Sequence, residues 1–316
     1  MNLLIKQATV VDSSSPHNGR VVDILIEKGV ITQIKKTITP EKGVKTIEAE
    51  GLHVSAGWLD MQVNFCDPGY EHKETLNNGL KSAAKGGFTS VCLMSGTNPP
   101  LHNKAQIEYV ANRAKDNLVD VLPIGTLSHN QEGKDLSEMY DMKISGAIAF
   151  SDYKKSTKDA GLILRALQYS QNINSFIITH CDDKTISHDG LVNEGVTSTK
   201  LGLKGIPALA EEIMLQRNIQ ILEYTGGKMH IPTISTKGSV ELIKKAKAKK
   251  LNITCGVAAY NLLLDDSELE GFDTNYKVNP PLRTKEDIDA LKKGLADGVI
   301  DVIVSDHAPQ DIESKD

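Results

Sequence analysis

Short apolar runs alternate with polar turns over residues 1–55. The runs LLIKQATVVD, VVDILIEKGVITQIKK and KTIEAEGLHV are separated by turn-forming segments such as SSSPHNG and TPEKG. This pattern predicts a small antiparallel sheet, which is too small to be stable unless it packs against another part of the chain. We therefore predict a small β-sandwich-like domain over residues 1–55.

From residue 56 onwards, apolar runs alternate with amphipathic segments of helical period. The runs predict strands at 57–64, 90–94, 121–125, 147–150, 176–180, 229–234, 252–257 and 301–304. The amphipathic segments predict helices at about 74–86, 104–116, 159–171, 207–223, 237–249 and 284–296. Strands that are apolar on both faces and joined through helices indicate a parallel sheet. We predict an α/β fold in which residues 56–316 form a (β/α)8 barrel. An open doubly wound sheet is the alternative, but no GxGxxG loop follows the first strand.

In such a barrel, function is located at the carboxyl ends of the strands. Three residues there are of metal-binding type and follow three different strands, namely Asp152, His180 and Asp306. Each one taken singly is more typical of a hydrogen-bonded residue at a strand end. Their shared position makes a metal site a candidate.

Composition excludes several other functions. The net charge of −5 gives no general attraction for nucleic acid or for an anionic membrane. No apolar stretch approaches the roughly 18 residues that span a bilayer, and the start lacks a signal peptide pattern, so we expect a cytoplasmic protein. The four cysteines contain no CxxC pair, which favours buried, reduced thiols.

Longer strings carry a family resemblance. AGWLDMQVNFCDPGYEHKET resembles the first barrel strand of class I dihydroorotases in the amidohydrolase superfamily, PGFID-x-H-x-H-x-R-[ED]-PG. The resemblance continues through AAKGGFTSVCLM, MHIPTISTKGS, NPPLR and SDHAP, and it covers the whole chain. It implies an eight-stranded barrel with a small β-domain, and an activity that hydrolyses or closes the dihydroorotate ring with one or two zinc ions. Family members continue past the last motif, so we expect the C-terminal end of the family fold to be missing.

Several functional positions depart from the family pattern. The resemblance implies that the two histidines of the HxH motif are replaced by Gln62 and Asn64, and the following arginine by Cys66. It also implies that Gly96 replaces an asparagine that binds the substrate carboxylate. Thr233 replaces a further metal-binding histidine.

Other functional positions are retained. The resemblance implies that Asp152, His180 and Asp306 match metal ligands and that Asp306 also matches the proton shuttle. Asn279 and His307 match residues near the substrate ring. Amide oxygens and a threonine hydroxyl are poor zinc ligands, so we predict that any residual metal binding is weak. Without the metal, bound water keeps a pKa near 15.7 instead of about 7, and the nucleophilic hydroxide is lost.

Three hypotheses follow. In the leading one, the chain is a dihydroorotase-like protein of pyrimidine biosynthesis that is catalytically impaired, holds no cofactor, forms a homo-oligomer and is a partner of aspartate carbamoyltransferase. In the second, it is an active cyclic-amide hydrolase with one zinc ion. In the third, the pocket binds a neutral small molecule through Gln62, Asn64 and Cys66 without chemistry.

Overall fold

The computed structural model of the protein describes residues 2–315, which form two compact units that divide between Trp58 and Leu59. The first unit contains strands β1 (Leu3–Val10), β2 (Val21–Glu27), β3 (Val30–Lys35), β4 (Lys45–Ile47) and β5 (His53–Val54). β1 and β2 pair antiparallel, as do β2 and β3, whereas β4 and β5 both run parallel to β1. The prediction of an antiparallel sheet was therefore wrong for two strands. The connection over residues 36–44 crosses over before β4, and short apolar runs carry no signal of strand direction.

One buried carboxylate organises this small sheet. Asp23 on β2 is only 1% exposed, and it accepts backbone N–H bonds from Gln7 and from Ile38, both at 2.8 Å. Gln7 has a φ of +49° at an irregularity in the pairing of β1 with β2. The Asp23 side chain therefore satisfies backbone groups that the sheet leaves unpaired.

The second unit alternates strands and helices. Its strands are β6 (Trp58–Val63, which begins at the boundary), β7 (Phe88–Leu93), β8 (Asp120–Gly125), β9 (Ala149–Phe150), β10 (Ile177–Ile178), β11 (Val192–Asn193), β12 (Gly205–Ile206), β13 (Met229–Ile231), β14 (Ile253–Ala258) and β15 (Val302–Val304). Its helices are α1 (Leu76–Lys85), α2 (Lys104–Ala114), α3 (Met139–Ile144), α4 (Ala160–Asn172), α5 (Lys184–Ser187), α6 (Val196–Leu201), α7 (Ala208–Thr225), α8 (Lys237–Ala248) and α9 (Lys285–Ala296).

Eight of these strands form one sheet in the order β6-β7-β8-β9-β10-β13-β14-β15. A parallel bridge between Val63 and His307, with a 2.8 Å bond from the Asn64 N–H to the His307 carbonyl, joins the two ends of the sheet. The predicted eight-stranded barrel is confirmed. The short β11 and β12 pair separately with each other, and they were not predicted.

The barrel has two apolar layers. Alternate residues of the strands point inward, where Cys92, Met94, Ile124, Ala149 and Ile178 form a cluster inside the barrel. The other face of the strands packs against the helices in a larger core. All four cysteines are buried and free, as the sequence predicted.

Local sequence signals begin most of the long helices. At the start of α1, α2, α4, α8 and α9, the side chain of the capping residue accepts a backbone N–H bond. These residues are Thr75, Asn103, Asp159, Thr236 and Thr284. These caps satisfy N–H groups that have no partner inside the helix. Over residues 2–315, no helix combines the length and the apolar character that crossing a bilayer requires.

A buried arginine fixes the segment with β11 and β12 against the barrel. Arg283 is 2% exposed and donates to the side chain of Asn193 at 2.9 Å, the carbonyl of Ile206 at 2.7 Å and the hydroxyl of Ser235 at 3.0 Å. The carboxylate of Glu211 lies 3.9 Å from the guanidinium and accepts a 2.9 Å bond from the Ser235 backbone. The NPPLR string therefore serves packing at this position, because its arginine is fully used inside the protein.

Candidate functional site

Asp306 is the centre of a polar cluster at the carboxyl ends of the strands. Its side chain is 2% exposed, and both of its carboxylate oxygens accept hydrogen bonds. Gln62 Nε2 donates to Oδ1 at 2.5 Å, while Lys154 Nζ and the Tyr260 hydroxyl donate to Oδ2 at 2.7 and 2.5 Å. Because Gln62, Lys154 and Tyr260 come from β6, the loop after β9 and the segment after β14, Asp306 joins three parts of the barrel mouth.

The ammonium group of Lys154 supplies the positive charge of this cluster. Besides Asp306, it donates to the carbonyl oxygen of Asn279 at 2.6 Å. The Lys154 side chain is 22% exposed, so its ion pair with Asp306 is only partly screened by solvent. The ammonium group of Lys154 therefore balances the charge of the Asp306 carboxylate.

Asp152 makes a separate set of bonds. Its Oδ1 accepts the backbone N–H groups of Leu127 and Ser128, both at 2.9 Å, and its Oδ2 accepts the Ser128 hydroxyl at 2.5 Å. Burial raises the pKa of the Asp152 carboxyl, and these hydrogen bonds oppose the rise. The carboxylate thus anchors the loop after β8.

His180 follows β10 and is 3% exposed. Its pKa is lowered to about 4, first by burial and then by the positive charge of Lys154, so the imidazole is neutral near pH 7. The Nε2 atom is buried without a hydrogen-bond partner among the described residues. His230 on β13 also has a pKa of about 4 because of burial, and its Nδ1 lies 2.8 Å from the Thr254 hydroxyl.

Asn64 and Cys66 are used in local contacts after β6. Asn64 Nδ2 donates to the Gly96 carbonyl at 3.2 Å, and its Oδ1 accepts the Cys66 backbone N–H at 3.2 Å. Cys66 is buried with a φ of +61°, and burial raises the pKa of its thiol to about 11. A neutral thiol at this position offers no charge to a carboxylate ligand.

The ring of Tyr153 fills the space beside Gly96. A Cβ atom on Gly96 would lie 2.6 Å from the Tyr153 ring and 2.9 Å from Asn64 Nδ2. Such separations are far below normal van der Waals contact, so no larger side chain fits while Tyr153 keeps its position. Gly96 is therefore a steric requirement of this arrangement, and a substrate-binding asparagine has no room there.

Two further predicted positions are Thr233 and His307. Thr233 is 2% exposed, and its hydroxyl has no hydrogen-bond partner among the described residues. His307 Nε2 lies 2.6 Å from the Glu74 carboxylate, and the imidazole ring contacts Phe65 edge-on at 5.6 Å between centroids. The His307 side chain is thus engaged with Glu74 and Phe65.

A cavity of about 350 Å³, called here the mouth cavity, opens beside Asp306. Its lining includes Lys154, Lys184, Tyr260, Lys277, Asn279 and Asp306. Gln62, Asn64 and Cys66 are not part of this lining, which differs from the neutral pocket that the third hypothesis requires.

Comparisons with known proteins fit this fold. A model of the family described as "Dihydro-orotase-like" matches residues 52–239. A "Dihydroorotase" of Trichlorobacter lovleyi is 43% identical over 317 residues, covering 100% of this chain and 74% of the relative. A "Dihydroorotase" of Ruminiclostridium cellulolyticum is 45% identical over 316 residues, covering 100% of this chain and 73% of the relative.

This chain belongs to the dihydroorotase-like family. Solved structures also share its fold. The L-hydantoinase (dihydropyrimidinase) from Arthrobacter aurescens superimposes with a TM-score of 0.85 at 23% identity, covering 99% of this chain and 70% of that one. At this identity the likeness supports the barrel fold alone.

The side chains at the barrel mouth do not fit the metal site that the family implies. Among residues 2–315, no group of three or more histidine, cysteine, aspartate or glutamate side chains is arranged to hold a metal ion. Asp306 is paired with an ammonium group, and Gln62 and Thr233 offer an amide and a hydroxyl where zinc prefers imidazole, thiolate or carboxylate. A divalent cation beside Lys154 would also be repelled by its charge.

Sequence reasoning missed Lys154, Lys184 and Tyr260. The string SDYKKS places Lys154 two residues after Asp152, which is the available signal that a cation could reach the barrel mouth. Lysines in loops are usually solvated, so this signal is weak on its own.

Proposed function

We propose that this member of the dihydroorotase-like family does not perform metal-dependent hydrolysis. The observation that carries the proposal is the hydrogen bonding of Asp306, whose two oxygens are used by Gln62, Lys154 and Tyr260. The residue that matches the family's metal ligand and proton shuttle is therefore committed to contacts within the protein.

The chemistry of the neighbouring groups supports the same conclusion. An ammonium group balances negative charge, but it does not lower the pKa of water from 15.7 to about 7 as zinc does. The carboxylate clamp is also absent, because Cys66 and Gly96 stand where the family has an arginine and an asparagine. Both hydrolysis and recognition of dihydroorotate are then impaired.

We further propose that the barrel serves as an assembly unit in pyrimidine biosynthesis, as a homo-oligomer and as a partner of aspartate carbamoyltransferase. Support comes from the family resemblance, in which inactive relatives have this role. The test is sedimentation of the chain alone and mixed with the aspartate carbamoyltransferase of the same organism. A mixture that sediments as the sum of its separate components contradicts the partner proposal.

An active hydrolase with a mononuclear site is the second candidate. The relatives that are 43–45% identical carry the name dihydroorotase, and Asp152, His180 and Asp306 retain ligand-type side chains. One histidine and two carboxylates are a chemically valid zinc donor set. This candidate requires Asp306 to exchange its contact with Lys154 for one with the metal.

The decisive experiment combines elemental analysis with a turnover assay. The purified chain is incubated with zinc, passed through a desalting column and analysed for bound metal, and hydrolysis of dihydroorotate is followed in parallel. We expect far less than one zinc per chain and no turnover that a chelator abolishes. Asp306→Asn is the control, since activity that survives this change comes from a contaminating enzyme. Stoichiometric zinc with turnover that Asp306→Asn abolishes would refute the proposal and establish the second candidate.

A further inference from the structure

Two neighbouring helices on the outside of the barrel expose few charges. Gln171 near the C-terminus of α4 donates to the Thr225 carbonyl at the C-terminus of α7 at 3.2 Å, so these two helices lie side by side. Arg165 and Glu223 are the charged residues among the exposed positions of α4 and α7. The exposed residues of these two helices are called here the α4–α7 face.

The exposed positions of α8 and α9 have the opposite character. Within these two helices, Ala248 and Ala296 are the only exposed residues without a charge. A charged outer face is typical of a helix in contact with solvent, whereas a surface depleted in charge with large apolar side chains is typical of a protein interface. The α4–α7 face is therefore a candidate contact surface.

Both charged residues of the α4–α7 face are paired with a neighbour of opposite sign. Arg165 lies 3.5 Å from Asp159, and Glu223 lies 2.8 Å from Lys249. Exposed pairs of this kind add little stability, but each one leaves no excess of charge at its position. Two copies of the face can therefore approach each other without strong repulsion from these residues.

The partly buried charges of α7 lie at its edges. Burial lowers the pKa of Arg217, and the negative charges of Asp183 and Asp159 are among those that oppose this change, so carboxylates lie close to the guanidinium group. Glu212 accepts the Thr236 hydroxyl at 3.0 Å, a contact that directs it towards α8. Neither side chain brings an isolated charge to the middle of the face.

The uncharged exposed residues of α7 form one stripe along the helix. Successive members are three or four residues apart, which places them on the same side; they are Leu209, Ile213, Gln216, Gln220 and Tyr224. Leu209, Ile213 and Tyr224 are 51%, 43% and 77% exposed. Single exposed apolar residues are common, but a stripe of them beside amides on a helix of 18 residues indicates a contact with protein.

This stripe is complementary to itself when two copies of α7 pack antiparallel. A two-fold axis near the middle of the helix brings Leu209 of one copy to Tyr224 of the other, and Ile213 to Gln220. The Gln216 side chains meet near the axis, where each amide offers both donors and an acceptor. An interface with two-fold symmetry uses the same surface on both copies, and the stripe satisfies that condition.

The size of the face is sufficient for a weak dimer. The 18 residues of α7 span about 27 Å, and two adjacent helices, each about 10 Å wide, make a face of roughly 500 Å² in projection. The accessible surface of side chains exceeds its projection. Burial on both copies therefore approaches the total of about 1,200 Å² at which stable interfaces begin.

We propose that two copies of this chain form a dimer through the α4–α7 face, with their α7 helices antiparallel about a two-fold axis. The inference deepens the proposed function, because it names the surface of the homo-oligomer, and it rests on that part of the proposal. It uses no residue of the barrel mouth, so it is independent of the question of metal binding.

The test is sedimentation velocity on the full chain over loading concentrations from about 1 to 100 μM. We expect a reversible equilibrium of monomer and dimer with a dissociation constant in the micromolar range, because an interface at the lower end of the size range is weak. We also expect sodium chloride to change this constant little, since charge pairs do not hold the interface.

Three substitutions locate the interface and its geometry. Ile213→Lys should weaken the dimer about tenfold or more, because each copy loses an apolar contact and gains a charge that must be desolvated. Adding Gln220→Glu should recover most of this loss, since positions 213 and 220 of opposite copies face each other in the antiparallel arrangement. Within one chain these positions are two helical turns apart, too far for a direct pair.

Asn112→Lys is the matched control. It adds the same charge at an exposed position of α2, which lies on a different side of the barrel, and should leave the dissociation constant unchanged. Circular dichroism establishes that each variant is folded.

The outcomes separate this inference from the proposed function. A chain that stays monomeric overturns both the inference and the homo-oligomer, and leaves the metal proposal standing. Self-association that Ile213→Lys does not weaken overturns the inference alone. Weakening that Gln220→Glu does not recover overturns the antiparallel pairing. A chain that is monomeric alone but loses binding to aspartate carbamoyltransferase through Ile213→Lys assigns the face to that enzyme. Weakening by Ile213→Lys with recovery by Gln220→Glu supports the inference.

Discussion

Replacement of Lys154 by methionine tests the ion pair at the centre of the cluster. Methionine keeps most of the apolar stem of the lysine and removes its charge. The change deletes the 2.7 Å contact with Asp306 and the 2.6 Å bond to the Asn279 carbonyl. The Asp306 carboxylate, 2% exposed, then keeps only the hydrogen bonds from Gln62 and Tyr260.

The expected loss of stability follows from burial on the two sides of the pair. Removing one partner of a fully buried ion pair costs about 3–5 kcal/mol, because the other charge remains buried and uncompensated. Lys154 is 22% exposed, and water can reach part of its position after the change. We therefore expect Lys154→Met to lower the free energy of unfolding by about 2–3 kcal/mol.

The assay is urea unfolding followed by circular dichroism at a helix band, which reports on the second unit because α1 to α9 all lie there. Lys155→Met is the matched control, since Lys155 is the exposed neighbour and its loss should change stability by less than about 0.5 kcal/mol. In an Asp306→Asn background, Lys154→Met should cost less than about 1 kcal/mol. Full additivity of the two changes would refute the ion-pair argument.

Three further changes examine other contacts. Gly96→Asn should destabilise the chain by about 1–3 kcal/mol through the clash with the Tyr153 ring, and adding Tyr153→Ala should recover much of the loss; urea midpoints measure both. The His180 imidazole should titrate near a pKa of about 4 by NMR, against 6.5 when unfolded. Between pH 6.5 and pH 4, the imidazole of His180 is protonated in the unfolded chain but neutral in the folded chain. The free energy of unfolding therefore falls as the pH falls through this range, and His180→Gln should weaken this pH dependence. Arg283→Lys keeps the charge but loses the fork that reaches Asn193, so unfolding should become easier by about 1–3 kcal/mol, and a change below about 0.5 kcal/mol would contradict this role.

The barrel was predictable because its strands carry strong local signals. Runs such as SVCLM and DVIV are rich in apolar residues, and segments of helical period separate most of these runs. α3 was missed because six residues give too little periodicity to distinguish a helix from a turn. β11 and β12 have two residues each, and such strands exist only through their tertiary pairing.

The position of the site was predictable, but its bonding was not. The barrel rule places Asp152, His180 and Asp306 after strands β9, β10 and β15, where the structure has them. The contact of Lys154 with Asp306 joins residues 152 positions apart, and no local pattern encodes such a pair. The ring of Tyr153 beside Gly96 is likewise a packing result that residue types alone do not reveal.

The substitutions at the barrel mouth depend on one another, which sets a limit on restoring a metal site. A triple variant with Gln62→His, Asn64→His and Thr233→His returns imidazoles to the family positions. The first of these changes also removes the hydrogen bond that Gln62 donates to Asp306, and the ammonium group of Lys154 stays in place. That ammonium repels a divalent cation and competes with it for the same carboxylate oxygen. We therefore expect the triple variant to bind zinc at least about tenfold more weakly than the quadruple variant that adds Lys154→Met, a difference of about 1.4 kcal/mol. Competition against a chromogenic chelator measures both affinities, with Lys155→Met in the triple background as the control. Equal affinities in the triple and quadruple variants would show that the lysine is no barrier to the metal.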